Sequence, residues 1–172
     1  MSDRITALIL AVLVTGLDIA AHAGELPDRQ LTPGAINSAI SEQQYRAQCH
    51  TKGWAGPYRP PVSFTNSLKK LQMKNYGYPL ADARDYEEDH LVPLCLAGAP
   101  EDPDNLWPQP RSGEWNADRK DKLEAKLCRL TCDGKVSLAD TQREIAADWI
   151  VTYRKYIGAP RKSATHKAPF DP

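Results

Sequence analysis

The spacing of apolar side chains predicts three amphipathic helices beyond residue 60. The first begins near residue 65 and ends at Gly77, and the second spans residues 115–130. The third spans residues 137–158, where Ser137 and Asp140 form a capping box at its start. The apolar positions of the three stripes are Leu68, Leu71, Met73 and Tyr76, then Leu123, Leu127 and Leu130, then Leu138, Ile145, Trp149 and Tyr153.

The other patterns predict one strand and several irregular segments. Residues 86–96 are expected to be extended, with Pro93 placing them at an edge or a bend. Residues 97–113 are dominated by Gly, Pro, Asp and Asn, and we expect them to form a loop. Before residue 61, turn residues leave room for one short helix near residues 36–49. The predicted fold is therefore a small α+β domain.

Both ends of the chain are expected to lie outside this domain. A charged start, an apolar stretch over residues 5–17 and the small residues before Gly24 are typical of a secretory signal peptide. We expect residues 1–23 to be removed and residues 24–158 to form a single soluble domain, a monomer without a membrane anchor. Residues 159–172 have few apolar side chains and are expected to be disordered. The mature protein would be periplasmic or secreted.

The cysteines fit such an oxidising location. Export would bring all four of them, Cys49, Cys95, Cys128 and Cys132, into a compartment where two disulfides are the default expectation. A zinc site is the weaker alternative. Cys128 and Cys132 are separated by three residues, and no second close pair completes a tetrahedral set.

The charge balance narrows the way in which the chain could bind nucleic acid. It carries 22 basic and 22 acidic side chains. A protein that coats nucleic acid has a strong basic excess, because phosphate neutralisation supplies most of the nonspecific affinity. Any contact with nucleic acid must therefore come from a local patch of basic side chains. We predict that Lys120 and Arg119 bind phosphate, since Lys120 lies one helical turn beyond Asn116 on the same face.

One acid, one histidine and two amides predict a site for cutting phosphodiester bonds. Asp89 at the strand end and Asn116 in the first helical turn can converge on one divalent cation through oxygen atoms. Such ligands favour magnesium, with manganese as the alternative. His90 would be the general base that takes a proton from water. The amide of Asn105 would hydrogen-bond the loop backbone and so hold His90 in place.

These residues resemble the HNH, or His-Me finger, nucleases. The resemblance rests on Asn116, Lys120 and the segments 88–94 and 105–108, which read EDHLVPL and NLWP. It is closest to small secreted bacterial proteins with this motif. It implies a ββα-metal core in which His90 is the general base, Asn105 fixes the loop, and Asp89 with Asn116 binds one metal ion.

The chain departs from the family pattern in two ways. Asn116 stands where many HNH enzymes have their last histidine, and it keeps a ligand of reasonable chemistry. The zinc-binding cysteine pairs of many relatives are absent, which suggests that disulfides hold this scaffold instead.

If the strand and the helix leave the metal side by side, their lengths predict the cysteine pairing. The extended chain from Asp89 to Cys95 covers about 20 Å, and the helix from Asn116 to Cys128 covers about 18 Å. The two sulfurs then arrive together. We therefore predict Cys95 with Cys128, which leaves Cys49 with Cys132.

Together these expectations describe a secreted metal-dependent endonuclease that cuts DNA, with RNA as an alternative substrate, and with little sequence preference. A noncatalytic secreted module that binds a metal or a partner on the same fold is the main alternative. A nuclease toxin aimed at competing cells is a third. A glycosidase based on Glu87, Glu88 and Asp89 is disfavoured, because neighbouring strand residues alternate faces and cannot flank one bond.

Overall fold

A computed structural model describes residues 24–160, and the predicted signal peptide and residues 161–172 lie outside that range. Within it the chain is a mixed fold of helices and one two-stranded sheet, compatible with the predicted α+β class. The strands are β1 (Tyr86–His90) and β2 (Leu106–Pro110). The helices are α1 (Glu42–Gln48), α2 (Val62–Asn75), α3 (Ala117–Cys132), α4 (Leu138–Ala147) and α5 (Trp149–Tyr156).

The sheet corrects the predicted loop over residues 97–113, because β2 lies inside it. β1 and β2 run antiparallel with Glu88 opposite Pro108. The hydrogen bond from the Leu91 N–H to the Asn105 carbonyl shows which opposite residue pairs of the two strands are hydrogen-bonded to each other. Since bonded and non-bonded pairs alternate, Pro108 and Pro110 fall at non-bonded positions, where a missing N–H costs nothing. The proline content that predicted a loop is therefore compatible with a strand.

The strand predicted over residues 86–96 is shorter than expected. β1 ends at His90, and Leu94–Leu96 forms a 3-10 turn after Pro93. The predicted bend at Pro93 thus becomes a change of secondary structure, and it turns the chain from the sheet toward α3.

The first two predicted helices are confirmed. α2 ends at Asn75, and Gly77 follows with a φ of 71°, in the left-handed region expected for a terminating glycine. Leu71, a predicted stripe position, is 56% exposed instead of buried. α3 begins directly after Asn116, which is its N-cap. α1 lies within the segment predicted for a short helix.

The third predicted helix is two helices. Asp148 is extended between α4 and α5, and its Oδ1 accepts hydrogen bonds from the N–H groups of Ile150 and Val151 at 2.9 and 2.8 Å. The apolar spacing continues across the break, so the periodicity alone could not reveal it. An aspartate side chain that caps a new helix competes with continuation of the old one.

The core lies between the last three helices and one face of the sheet. α3 packs against α5 and the 3-10 turn, and α2 packs against both strands. The buried cluster contains Trp107, Trp115, Trp149, Leu123, Leu127, Leu138, Ile145 and Tyr153, together with residues that follow β1. The apolar positions predicted within residues 115–130 and 137–158 therefore supply much of the core.

Both predicted disulfides are confirmed. Cys95–Cys128 ties the 3-10 turn to α3 with a Cα–Cα distance of 5.8 Å, and Cys49–Cys132 ties the end of α1 to the end of α3 at 5.7 Å. Two disulfides fit an oxidising, extracytoplasmic environment. No helix within residues 24–160 is long and apolar enough to cross a membrane.

Candidate functional site

A cleft of about 700 Å³ runs along β1 between α2 and α3. Within the described residues β1 pairs only with β2, and all of its residues except Tyr86 line this cleft. Charged side chains line it. The acids are Glu87, Glu88, Asp89, Asp121 and Glu124, the bases are Arg59, Lys69 and Arg111, and His90 is the titratable imidazole.

His90 ends β1 with its side chain almost fully buried. Its Nε2 lies 2.8 Å from the Pro100 carbonyl oxygen. A carbonyl can only accept, so Nε2 carries the hydrogen and Nδ1 keeps a lone pair. Burial lowers the pKa of His90, and the hydrogen bond to Pro100 opposes this only in part. The imidazole is therefore neutral near pH 7, with one basic nitrogen.

Asn105 holds the loop that carries the Pro100 carbonyl. Its Oδ1 accepts from the Val92 N–H at 2.8 Å, while its Nδ2 donates to the carbonyls of Val92 and Ala99 at 3.0 and 2.9 Å. The side chain is fully buried. The amide thus fixes the backbone next to both His90 and Pro100, which is the kind of contact expected for it.

Gly98 belongs to the same clamp, and the sequence reasoning missed it. A Cβ at this position would lie 1.8 Å from the Val92 carbonyl oxygen and 2.9 Å from Asn105 Nδ2. Only glycine lets the two backbone segments approach this closely. The glycine after Ala97 was visible in the sequence, but the partner that it approaches is defined only by the folded loop.

The structure gives Asn116 and Asp89 different hydrogen-bond partners. Asn116 Oδ1 accepts a hydrogen bond from the Arg119 N–H at 3.2 Å and caps α3, and Asn116 does not line the cleft. Asp89 Oδ2 instead lies 2.6 Å from Lys120 Nζ. The Asn116 oxygen that was expected to bind the cation caps the helix here, and the pairing of Asp89 with Asn116 on one cation stays a prediction.

Lys120 does not make the predicted contact with phosphate in this structure, and phosphate binding by Arg119 stays a prediction. The Lys120 side chain is 1% exposed, and its ammonium donates to Asp89 Oδ2, to the His90 carbonyl and to the Glu124 carboxylate. All three N–H bonds are used, so none is left for phosphate. The helix face shared with Asn116 turns toward the end of β1 instead of solvent. The guanidinium of Arg119 lies 5.7 Å from the Trp115 ring centre, away from the cleft.

Lys120 remains charged despite its burial. Desolvation lowers the pKa of Lys120, but the carboxylates of Asp89 and Glu124 more than offset this and hold the pKa above its usual value. The ammonium is therefore a permanent positive charge at the end of β1.

Glu88 is a candidate that the sequence reasoning did not assign to the metal. Both of its carboxyl oxygens are buried, and neither has a hydrogen-bond partner among residues 24–160. Burial raises the pKa of Glu88 to about 8, although the Lys69 ammonium opposes the rise. Lys69 itself donates to the carbonyls of Ala83 and Tyr86. Glu88 shares the acidic run with Asp89, but only the structure shows that it lacks a partner.

A second group of potential ligands lies at the other end of α3. The ligand atoms of Cys49, His50 and Cys132 lie within 4.8 Å of one another, and no other His, Cys, Asp or Glu trio in residues 24–160 is as compact. The two sulfurs form a disulfide, so they can offer thiolates to a metal only when reduced. The carboxylates of the cleft are oxygen ligands of the kind that magnesium prefers.

No known protein-family model, curated protein or solved structure matches this chain. The resemblance to HNH nucleases therefore depends on the motif residues of the sequence alone.

Proposed function

We propose that this protein is a secreted, metal-dependent endonuclease that hydrolyses phosphodiester bonds of DNA, with RNA as a second substrate and low sequence specificity. The observation that carries the proposal is the His90 imidazole, which is neutral, held in one tautomer by Pro100 and placed beside acidic oxygens in an open cleft.

His90 would act as the general base. Its Nδ1 lone pair can accept a proton from a water molecule as that water attacks phosphorus. The Nε2 hydrogen bond to Pro100 stabilises the ring when it becomes positively charged, because the carbonyl dipole then faces a cation. Asn105 is a positioning residue, since it fixes the backbone on both sides of this hydrogen bond.

The carboxylates of the cleft fit a divalent cation. Asp89 uses only Oδ2 for Lys120, and the buried Glu88 oxygens have no partner among the described residues. Asp89 and Glu88 are neighbours in β1 and lie on opposite faces of the strand, so one of them, not both, would hold the ion. Asp89 is the predicted ligand, and hard oxygen ligands suit magnesium or manganese. A bound cation would supply charge stabilisation for the phosphate and for the departing sugar oxygen.

The charges of the cleft make nucleic acid binding depend on that cation. Five carboxyl groups face three basic side chains there, and one of the bases, Arg111, is paired with Glu87 at 2.8 Å. With Glu88 protonated near pH 7 and Lys120 paired with Asp89 and Glu124, the charges of the cleft roughly balance, so it would attract a phosphate backbone only weakly until a cation adds positive charge. Arg59 and Arg111 are the bases best placed to meet the substrate.

The noncatalytic module is the second candidate. It is favoured by the pairing of Asp89 with Lys120 and by the position of Asn116 outside the cleft, since both leave fewer ligands for a catalytic metal. On this alternative the cleft would bind a cation or a partner without chemistry.

A plasmid-nicking assay separates the two functions. The oxidised mature protein should nick supercoiled DNA with magnesium and lose the activity with EDTA. His90→Ala should lower the rate at least about a hundredfold, the usual contribution of a general base. His50→Ala is the matched control, because His50 is exposed and outside the cleft. Cutting that survives His90→Ala would contradict the proposal, and a wild-type protein that never nicks would favour the module.

A further inference from the structure

Lys120 occupies an unusual position for a lysine. It is buried at the point where α3 meets the last residue of β1, and it joins three acceptors there. A buried ammonium is stable only when its charge is paired and its hydrogens are donated, and both conditions are met. The sequence pattern suggested a role in binding phosphate, but the burial excludes direct contact with substrate in this conformation.

Two of the three acceptors of Lys120 belong to the residues on which the proposed chemistry depends. One is the Asp89 carboxylate and another is the backbone carbonyl of His90, each at 2.6 Å from Nζ. The His90 carbonyl lies at a non-bonded position of the ladder, so it points away from β2. Without Lys120 it would need water, and the end of β1 would lose its direct link to α3.

Lys120 also limits what Asp89 can bind. Its ammonium neutralises Oδ2 and leaves Oδ1, which has no hydrogen-bond partner among residues 24–160. Glu124, the third acceptor, is four residues along α3 and faces the same ammonium. Removing the lysine would leave two carboxylates next to each other with no counter-ion, and such a pair attracts a divalent cation.

We infer that Lys120 is a positioning residue with a second role as a resident counter-ion: it holds Asp89 and His90 against α3, and it weakens cation capture by the Asp89 and Glu124 carboxylates. This inference deepens the proposed function and rests on it for the catalytic consequence. The effect on cation binding is independent of catalysis.

The first test measures Mn²⁺ binding by calorimetry and by electron paramagnetic resonance. Lys120→Met should bind Mn²⁺ at least about tenfold more tightly than wild type, because a positive charge next to Asp89 is lost. Lys122→Met is the matched control on the same helix, since Lys122 is exposed, and it should leave the affinity unchanged. If Lys120→Met does not fold, Lys120→Gln keeps a donor without the charge and should show the same direction.

The second test separates positioning from phosphate binding. Lys120→Met should lower kcat at saturating metal by about tenfold or more while KM for DNA changes less than about twofold, as expected for misplaced catalytic groups. A lysine that binds phosphate would instead raise KM and reduce the salt dependence of binding.

The outcomes distinguish this inference from the proposed function. If wild type binds Mn²⁺ and the Lys120 variants bind it equally or more weakly, the inference is overturned and the nuclease proposal stands. If wild type neither nicks DNA nor binds Mn²⁺ but Lys120→Met gains Mn²⁺ binding, the nuclease proposal fails and the counter-ion role is supported. If neither protein binds Mn²⁺, both are overturned.

Discussion

Asn105 and Glu88 are two polar side chains of the same region with opposite hydrogen-bonding status. Asn105 donates to two carbonyls and accepts from the Val92 N–H, so its buried amide is satisfied. Glu88 has two buried oxygens without a partner among the described residues. A satisfied buried group stabilises the fold, whereas an unsatisfied one destabilises it until a ligand arrives. Substitution should therefore affect stability in opposite directions.

Replacing Asn105 with alanine should destabilise the protein. The change leaves the Val92 N–H and the carbonyls of Val92 and Ala99 without this partner in the core, at a cost of about 3–5 kcal/mol in the free energy of unfolding. Urea denaturation followed by tryptophan fluorescence measures it. Asn75→Ala is the control, because Asn75 is exposed at the end of α2. Equal effects of the two substitutions would contradict the clamp.

Glu88→Gln should make the protein more stable near pH 7. The folded-state pKa of Glu88 (about 8) lies above its ordinary value of 4.5, so its contribution is fully present below pH 4.5 and is lost as the pH rises to 8. Glutamine does not ionise and avoids this loss. We expect a gain on the order of 3 kcal/mol near pH 7, from about 1.4 kcal/mol for each pH unit between 4.5 and 7.

The measurement for Glu88 is the free energy of unfolding against pH, for both proteins and without divalent ions. The two curves should meet below pH 4.5 and diverge above it. Adding magnesium should stabilise wild type more than Glu88→Gln if Glu88 is a ligand. Parallel pH curves would show that the carboxyl is not strained by burial.

At the scale of elements, the break between α4 and α5 depends on one side chain. Asp148 leaves the helical conformation and caps α5 through Oδ1. Asp148→Ala should lower the free energy of unfolding by about 1–2 kcal/mol, because two N–H groups of the first turn lose their acceptor. Asp148→Asn keeps an acceptor of the same shape and should cost less than about 0.5 kcal/mol. Thermal unfolding followed by circular dichroism compares the two, and similar losses would mean that the cap does not define the break.

At the scale of the whole molecule, both disulfides converge on α3 but hold different parts of the chain. Cys95–Cys128 lies close behind the site, where it joins the turn after β1 to the middle of α3. Cys49–Cys132 joins the N-terminal third of the chain to the end of the same helix. We expect the first to matter more for activity and the second more for stability.

Two paired serine variants test this expectation. The bonds close segments of 33 and 83 residues, and the longer closure should contribute about 1 kcal/mol more to stability. Cys49→Ser with Cys132→Ser should therefore unfold at lower denaturant concentration. Cys95→Ser with Cys128→Ser should show the larger loss of nicking rate under conditions where both variants are folded. The opposite order of rates would mean that the site does not depend on its link to α3.

The sequence alone was sufficient for most of the helices and for the motif that marks the candidate site. The helical stripes, the start of α3 at Asn116 and the helix before Gly77 follow from periodicity and capping, which depend on neighbours along the chain. The disulfide pairing was predicted from the fixed rise per residue of extended and helical segments together with the assumption that both segments start side by side at Asp89 and Asn116. Asp89 and His90 marked the candidate site because they are adjacent in the sequence and so can be found without knowledge of the fold.

The tertiary structure decided how side chains far apart in sequence share their partners. Lys120 is buried because α3 turns that face toward the end of β1, and Asn116 is occupied because the cap needs its oxygen. The need for glycine at position 98 and the formation of β2 depend on which backbone segments come close together. The unpartnered state of Glu88 depends on its burial. Neither is a property of a segment by itself. Periodicity identifies the face of an element that becomes buried, but the partner of each polar group is defined only when the elements pack.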